Sequence, residues 1–394
     1  MENKKRNKPK RRFAGFTDDW EERKVREVTD RYDNFRVPVV ANLRVPGSIP
    51  YYGANGVQDY VDGYTHNGEF VLVAEDGAND LKNYPVMCVK GRIWVNNHAH
   101  VLQGKKKITD NKFLSYVISQ ADIESLLVGG SRAKLNAETL MDIELLLPTK
   151  IEQAKIGGFL THLDHLITLH QRKLDKLGSI KKSYLSEMFP QEGEKKPKRR
   201  FKGFTDDWEQ RKLGEVCSEI GDGLHSAPIY DENGDYYFIN GNNLVNGKIE
   251  INPEETKKVS VKIFEKNDKH LDDNTVLFSI NGTIGNLAYY KGERVMLGKS
   301  TAYFRAKNID KTFLFVLLQT SYVMNNFMVS LTGTTIKNLG LESIKSTKIM
   351  MPSNEEQKSI GLYFQQIDHL ITLHQCKLEK LKNIKQAYLN EMFV

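Results

Sequence analysis

The longest regular pattern in the chain is a seven-residue apolar repeat that occurs twice. Ile156, Leu160, Leu163, Ile167, His170, Leu174, Leu177, Lys181, Tyr184 and Met188 advance in steps of four and three. Ile360, Phe364, Ile367, Ile371, His374, Leu378, Leu381, Lys385, Tyr388 and Met392 repeat the progression. Such spacing holds an apolar seam on one face and predicts a helix that needs a coiled-coil partner. Each run of about 34 residues makes a helix roughly 50 Å long at 1.5 Å per residue. The simplest partner for each copy is the other. Periodicity leaves parallel and antiparallel pairing open. A two-fold relation between two domain–helix copies favours the antiparallel arrangement, with globular domains at opposite ends. His170, His374, Lys181 and Lys385 are polar seam positions that set register at some cost in stability; a metal site is the sharper alternative for the two histidines. Leu166, Leu169, Leu370 and Leu373 widen the stripe and can pack on other parts of the chain or receive another subunit.

Elsewhere the pattern shortens. FVLVAEDG (70–77), YPVMCVKG (84–91) and RIWVNNHAHVLQ (92–103) predict strands, as do DYYFIN (235–240), GKIEIN (247–252), NTVLFSI (274–280) and NLAYY (286–290). A more helical stretch follows in each region, 113–127 and 311–329. Each region closes on a small-residue turn with a basic residue, Gly130–Lys134 and Gly333–Lys337. Two α+β domains with irregular sheets are expected.

These regions are framed by near-identical segments. Residues 9–20 read PKRRFAGFTDDW and 197–208 read PKRRFKGFTDDW; residues 164–177 read DHLITLHQRKLDKL and 368–381 read DHLITLHQCKLEKL. The opening segments lie 188 residues apart and the helices 204, so the second intervening region is sixteen residues longer. The two intervening regions, 29–147 and 217–351, show little mutual resemblance. Constant frames around unlike inserts imply one job done twice and another done in two versions. Pro190 to Pro197 reads as a linker, and Pro148 and Pro352 mark the insert ends. The chain therefore divides into a first domain (1–150), a first spacer helix (151–190), a basic linker (191–200), a second domain (201–352) and a second spacer helix (353–394).

Charge and composition narrow the partners. The net charge is +7, with basic runs at Lys4–Arg12 and Lys195–Arg200. This suits a polyanionic partner, although such runs also occur as solvated tails. Three scattered cysteines, Cys88, Cys217 and Cys376, fit a reduced cytosolic protein and oppose a disulfide or zinc framework. No apolar run is long enough to span a bilayer, and the basic start leads into Phe13-Ala14-Gly15, so neither membrane nor secretion is expected. A cytoplasmic location follows.

The insert loops are dense in groups that read base edges and grip phosphates. Candidates are Tyr51, Asn55, Gln58, Asn96, Asn97, His98, His100, Arg132 and Lys134 in the first insert. In the second they are Asn240, Asn242, Asn243, Ser279, Asn281, Lys299, Thr334 and Lys337. Each also has the plainer reading of a turn residue or a satisfied polar group. His98 and His100 would sit on one strand face, a spacing metals use, but no third ligand is evident. Asn281–Gly285 is glycine-rich yet lacks the Lys-Ser/Thr of a phosphate loop and reads as a turn. No Walker, HExxH, GxSxG or methyl-donor motif is present, so no catalytic residue and no resident cofactor or metal is assigned.

The signature RFxGFTDDWE at Arg12–Glu21 and Arg200–Glu209, the helix ends YLSEMF (184–189) and YLNEMF (388–393), and WVNNHAH in the first insert resemble the specificity subunit of type I restriction–modification systems. SINGTIGN in the second insert resembles a different target-recognition subtype. The resemblance covers essentially the whole chain. It implies an α+β protein with two pseudo-symmetric target-recognition domains joined by two long antiparallel coiled-coil helices. It further implies a non-catalytic subunit whose domains each read half of a split, asymmetric sequence in double-stranded DNA. The helices would set the spacing, about one to one and a half DNA turns. Two methyltransferase subunits would dock on the frame, with restriction subunits in the full complex, and S-adenosylmethionine, Mg and ATP would belong to those partners. The alternatives are a nuclease or methyltransferase fused to a reader, a stand-alone DNA-binding protein, or a coiled-coil scaffold outside a restriction system.

Overall fold

The computed structural model describes residues 7–129, 133–333 and 337–394. The chain forms two compact units. The first gathers residues up to His170 together with Lys377–Val394, and the second is Gln171–Cys376. The long helices, Lys150–Glu187 and Asn354–Met392, are therefore each shared between the units, and the division falls within them. The five-part linear order expected from sequence describes the chain but not its compact bodies.

Each unit pairs a stretch of one long helix with a stretch of the other, and the pairing is antiparallel. In the first unit Phe159 meets Tyr388 with ring centroids 4.8 Å apart, and Asp164 pairs with Lys385 at 2.6 Å. In the second, Lys181 pairs with Asp368 at 2.6 Å and Tyr184 packs on Tyr363. The seam lysines thus carry interhelical ion pairs. Of the seam positions, Leu163, Ile367 and Leu378 are buried, while Ile167, His170, Leu174, Leu177, Ile371, His374 and Leu381 are half-buried. Leu169, Leu370 and Leu373, off the seam, are exposed.

The first insert builds a six-stranded sheet in the order Thr29–Arg31, Ala99–Gly104, His66–Ala74, Val86–Val95, Pro46–Gly53, Gly56–Val61. Only the pair Pro46–Gly53 with Val86–Val95 is parallel. The segments 84–91 and 92–103, expected as separate strands, are divided elsewhere. Gly91, at φ 104°, lies inside the continuous strand Val86–Val95, and the real break is the turn at Asn96–His98. His98 precedes the next strand, so the two imidazoles do not share a strand face.

The second insert has a four-stranded antiparallel sheet, Cys217–Asp222, Thr301–Ala306, Thr275–Ser279, Leu287–Tyr289, and a three-stranded one, Lys258–Val259, Tyr236–Ile239, Val295–Leu297. The stretch expected to be helical over 311–329 breaks into Lys311–Leu317 and Ser321–Val329, because Thr320 caps the second helix. GKIEIN contributes only the two-residue strand Lys248–Ile249. No single helix among the described residues is long and apolar enough to cross a membrane; one bent pair, Lys311–Leu317 with Ser321–Val329, passes that test by length and composition, and most of its first helix is buried.

Despite their unlike sheets, the inserts share more than their sequences suggest. In each, an aspartate caps a short helix whose Phe-Leu pair enters the core: Asp110 accepts from the Phe113 N–H at 3.0 Å, and Asp310 from the Phe313 N–H at 2.9 Å. Each short helix lies against a glycine of a long helix. A Cβ on Gly157 would come within 2.6 Å of the Phe113 nitrogen, and one on Gly361 within 2.9 Å of the Phe313 nitrogen. Only glycine permits that approach.

Candidate nucleic-acid interface

The repeated frame is held by buried charge. In the first unit the Arg12 guanidinium forks onto Glu152, Nε to Oε1 at 2.6 Å and Nη2 to Oε2 at 2.8 Å, while Nη1 donates to the Asp18 carbonyl. In the second, Arg200 forks onto Glu356 at 2.7 Å twice and donates to the Asp206 carbonyl. Both glutamates are buried. The hydrogen bond to Glu152 raises the Arg12 pKa, and Glu356 does the same to Arg200. The neighbouring glutamines tie insert to helix: Gln153 accepts from the Asp110 N–H at 3.0 Å and Gln357 from the Asp310 N–H at 2.9 Å. Beside them Trp20 packs edge-on to Phe113, and Phe393 stacks on Phe113. Trp208, Phe313 and Phe189 repeat this triangle. Each triangle takes its third ring from the end of a long helix that the other copy of the repeat supplies.

On this frame the first insert positions its candidate readers around the Asp76–Gly77 segment, where Asp76 bridges to Lys134. Asn55, at the exposed tip of the hairpin Pro46–Gly53/Gly56–Val61, donates to the Gly77 carbonyl at 2.9 Å and accepts from the Asn79 N–H. Gln58, also exposed, accepts from Asn96 at 3.3 Å. Asn97 is exposed, and His98 is half-buried with Nδ1 against Asp76. Lys134 pairs with Glu75 at 2.9 Å and stays partly exposed. Arg132 lies outside the described residues.

Three expected contacts are corrected to supports. Tyr51 is buried, its hydroxyl accepting from the Val39 N–H at 2.9 Å and donating to the Val39 carbonyl. Asn96 is buried and accepts from the His98 N–H. His100 is buried with Nδ1 2.8 Å from Asp33 and Nε2 2.9 Å from the Leu135 carbonyl. None presents a free polar edge to a groove. Sequence reasoning missed the charges around His100: Arg36 reaches Glu75 at 2.6 Å and Asp33 at 3.6 Å. Burial disfavours charge on both carboxylates, yet His100, the Val101 N–H and Arg36 lower the pKa of Asp33, and Arg36, Lys134 and His100 lower that of Glu75.

The second insert gathers its candidates on neighbouring loops. Ser300 donates to Asn240 at 3.0 Å, Asn243 donates to the Glu250 carbonyl, and Asn281 bridges to Asn338. Asn242, Lys299 and Lys337 are exposed; Asn240, Asn243 and Asn281 are half-buried. Ser279 is corrected to a support, because it is buried with its hydroxyl donating to the Thr283 carbonyl and accepting from the Asn286 N–H at 2.8 Å. Thr334 lies outside the described residues. Among those described, no group of three or more His, Cys, Asp or Glu is placed to hold a metal ion.

Two sets of polar tips and lysines thus lie on frames that repeat, while the inserts that carry them are built differently. The model of the type I restriction modification DNA specificity domain matches twice, over residues 17–179 and 205–383, and the chain belongs to that family. It is 31% identical to a protein of Haemophilus influenzae described as a type I restriction enzyme specificity subunit, over 85% of this chain and 84% of the relative. It is 23% identical to the MjaVIII specificity subunit of Methanocaldococcus jannaschii, over 95% and 92%. The fold matches the crystal structure of the type I restriction–modification S subunit of M. genitalium with a TM-score of 0.72 at 15% identity, covering 98% of this chain and 99% of that one.

Proposed function

We propose that each unit reads one half of a bipartite, asymmetric duplex sequence, that the long helices set the spacing between the halves, and that the repeated frame docks two modification subunits. The observation that carries this reading is the contrast between a frame whose buried ion pair and capping contacts repeat and sheets that differ in strand number and arrangement. A frame used twice suits a partner bound twice; inserts that differ suit two different half-sites. Chemistry belongs to the partners: the modification subunits supply S-adenosylmethionine and flip the target adenine, restriction subunits supply ATP- and Mg-dependent cleavage, and the assembly works in the cytoplasm. Reader contacts in this scheme are Asn55, Gln58, Asn97, His98 and Lys134 in the first unit and Asn240, Asn242, Asn243, Asn281, Lys299 and Lys337 in the second, with Arg132 and Thr334 as further candidates.

The test is to express the chain with its modification subunit in a methylation-free host and map methylated adenines by long-read sequencing. A two-part motif is expected, and exchanging residues 217–351 for another family insert changes one half alone. One uninterrupted motif, or no new methylation, would sink the reading.

A further inference from the structure

Within sheets of different size, the two inserts set four strands in one order. Thr29–Arg31, Ala99–Gly104, His66–Ala74 and Val86–Val95 neighbour one another in the first as Cys217–Asp222, Thr301–Ala306, Thr275–Ser279 and Leu287–Tyr289 do in the second. Register carries the match down to single residues. Ala74 faces Ala99 as Ser279 faces Thr301. One step further, the Glu75 N–H donates to the His98 carbonyl at 2.9 Å, and the Ile280 N–H to the Ser300 carbonyl at 2.9 Å. A later segment joins at the same place: the Leu135 N–H donates to the Glu75 carbonyl at 2.8 Å, and the Leu339 N–H to the Ile280 carbonyl at 2.9 Å. Gly77 and Gly282, two residues beyond those carbonyls, both take φ 71°. Asn97 and Lys299 are therefore one position in two units, two residues ahead of the strands Ala99–Gly104 and Thr301–Ala306.

That position lies at the end of each sheet turned away from the frame. The other ends of these strands lead to the Asp-capped helices, which Gln153 and Gln357 of the long helices hold. Asn97 and Lys299 are exposed, and among the described residues neither side chain has a hydrogen bond or ion pair. The carboxylates on the same rim are already answered: Glu75 by Arg36 at 2.6 Å and Lys134 at 2.9 Å, Asp76 by His98, and Asp222 by His225 at 2.8 Å. What the rim leaves unspent is an amide in one unit and an ammonium in the other. In a DNA specificity domain, such groups meet phosphates or base edges. Gripping phosphate is the same task in both units, and one residue type would serve it twice, as in the frame. A position that keeps its place and changes its chemistry belongs with the sequence. Asparagine, a donor beside an acceptor, complements adenine N7 and N6; lysine, donor only, complements guanine O6 and N7.

We infer that Asn97 and Lys299 are equivalent base readers, Asn97 taking an adenine in the first unit's half-site and Lys299 a guanine in the second's. The inference rests on the bipartite reading above. Its test uses the chain assembled with its modification subunit, with the motif mapped by methylation sequencing and each half assigned to its unit by exchanging residues 217–351. Asn97→Ala makes one A·T position of the first half degenerate, and Lys299→Ala one G·C position of the second. Discrimination at that position falls roughly 5- to 150-fold while the other positions hold. In duplex binding, 7-deaza-adenine at the A·T position, which lacks N7, weakens the wild-type complex and makes no difference to Asn97→Ala; 7-deazaguanine tests Lys299 in the same way. Melting temperatures stay at the wild-type value, because neither side chain has a partner to lose. A two-part motif that either variant leaves unchanged overturns the inference alone. So does degeneracy at a base pair of the other kind, or binding weakened equally on every duplex, which marks a phosphate contact. A lowered melting temperature with methylation lost at every site makes the position structural and also overturns it. Absence of any two-part motif in the wild-type complex overturns both readings.

Discussion

The two units are alike where they hold the long helices and unlike where they face outward. Arg12–Glu152 and Arg200–Glu356, Gln153 and Gln357, Trp20 and Trp208 repeat almost contact for contact. Above them, one insert closes a single six-stranded sheet and the other splits into separate sheets. The same buried pairs and rings thus support two different sheets, and the likeness extends to the Asp-capped short helix of each insert.

The comparison can be broken most severely at the buried ion pair. Glu152→Ala strands the Arg12 guanidinium and costs about 3–5 kcal/mol, seen as faster amide exchange throughout the first unit with the second unaffected; Glu356→Ala gives the mirror result. Equal loss in both units from either change would show that the frame folds as one block. Truncating the shared rings comes next. Phe393→Ala removes a half-buried ring and costs about 2–4 kcal/mol, and the amides that loosen are those around Trp20 and Phe113. Gly157→Ala forces a methyl against the Phe113 nitrogen and costs about 1–3 kcal/mol; Gly361→Ala does the same in the second unit, and thermal melts compare the two. The smallest effect is one of pH and sharpens the contrast between the inserts. Asp33 and Glu75 have lowered pKa values when folded, so their stabilisation is complete above the ordinary carboxylate range near pH 4. It is lost as pH falls through their folded values. Acid titration followed by exchange should therefore loosen the loop around Arg36, and His100→Gln should move that loosening toward higher pH.

Much of this was legible in the sequence, for physical reasons. A heptad of apolar residues has few alternatives to a paired helix, and a near-verbatim repeat forces two equivalent frames. The roles of individual polar residues were not legible. Asn96, His100, Tyr51 and Ser279 look like loop polar groups, yet each is turned inward to satisfy a backbone or charged partner. Sequence shows that a turn needs such a group but not which way it points. The converse held at Val40, Leu43 and Val45, where an apolar run that would pass for core lies in water. Asp110-Asn-Lys-Phe-Leu and Asp310-Lys-Thr-Phe-Leu were a readable signal of a shared helix, hidden because the five residues match at only three positions.

The ring that Phe393 lends to Trp20 and Phe113 bears on the order in which a growing chain can become native. Every residue of the second unit has been synthesised before residues 377–394 emerge to complete the first. The half made earliest is finished last. While the ribosome traverses the second insert, Trp20 and Phe113 lack their third partner and Asp164 lacks Lys385. At about 5–20 residues per second, that interval lasts tens of seconds, so until the tail arrives the nascent first unit has only its own sheet and short helix to pack against Trp20.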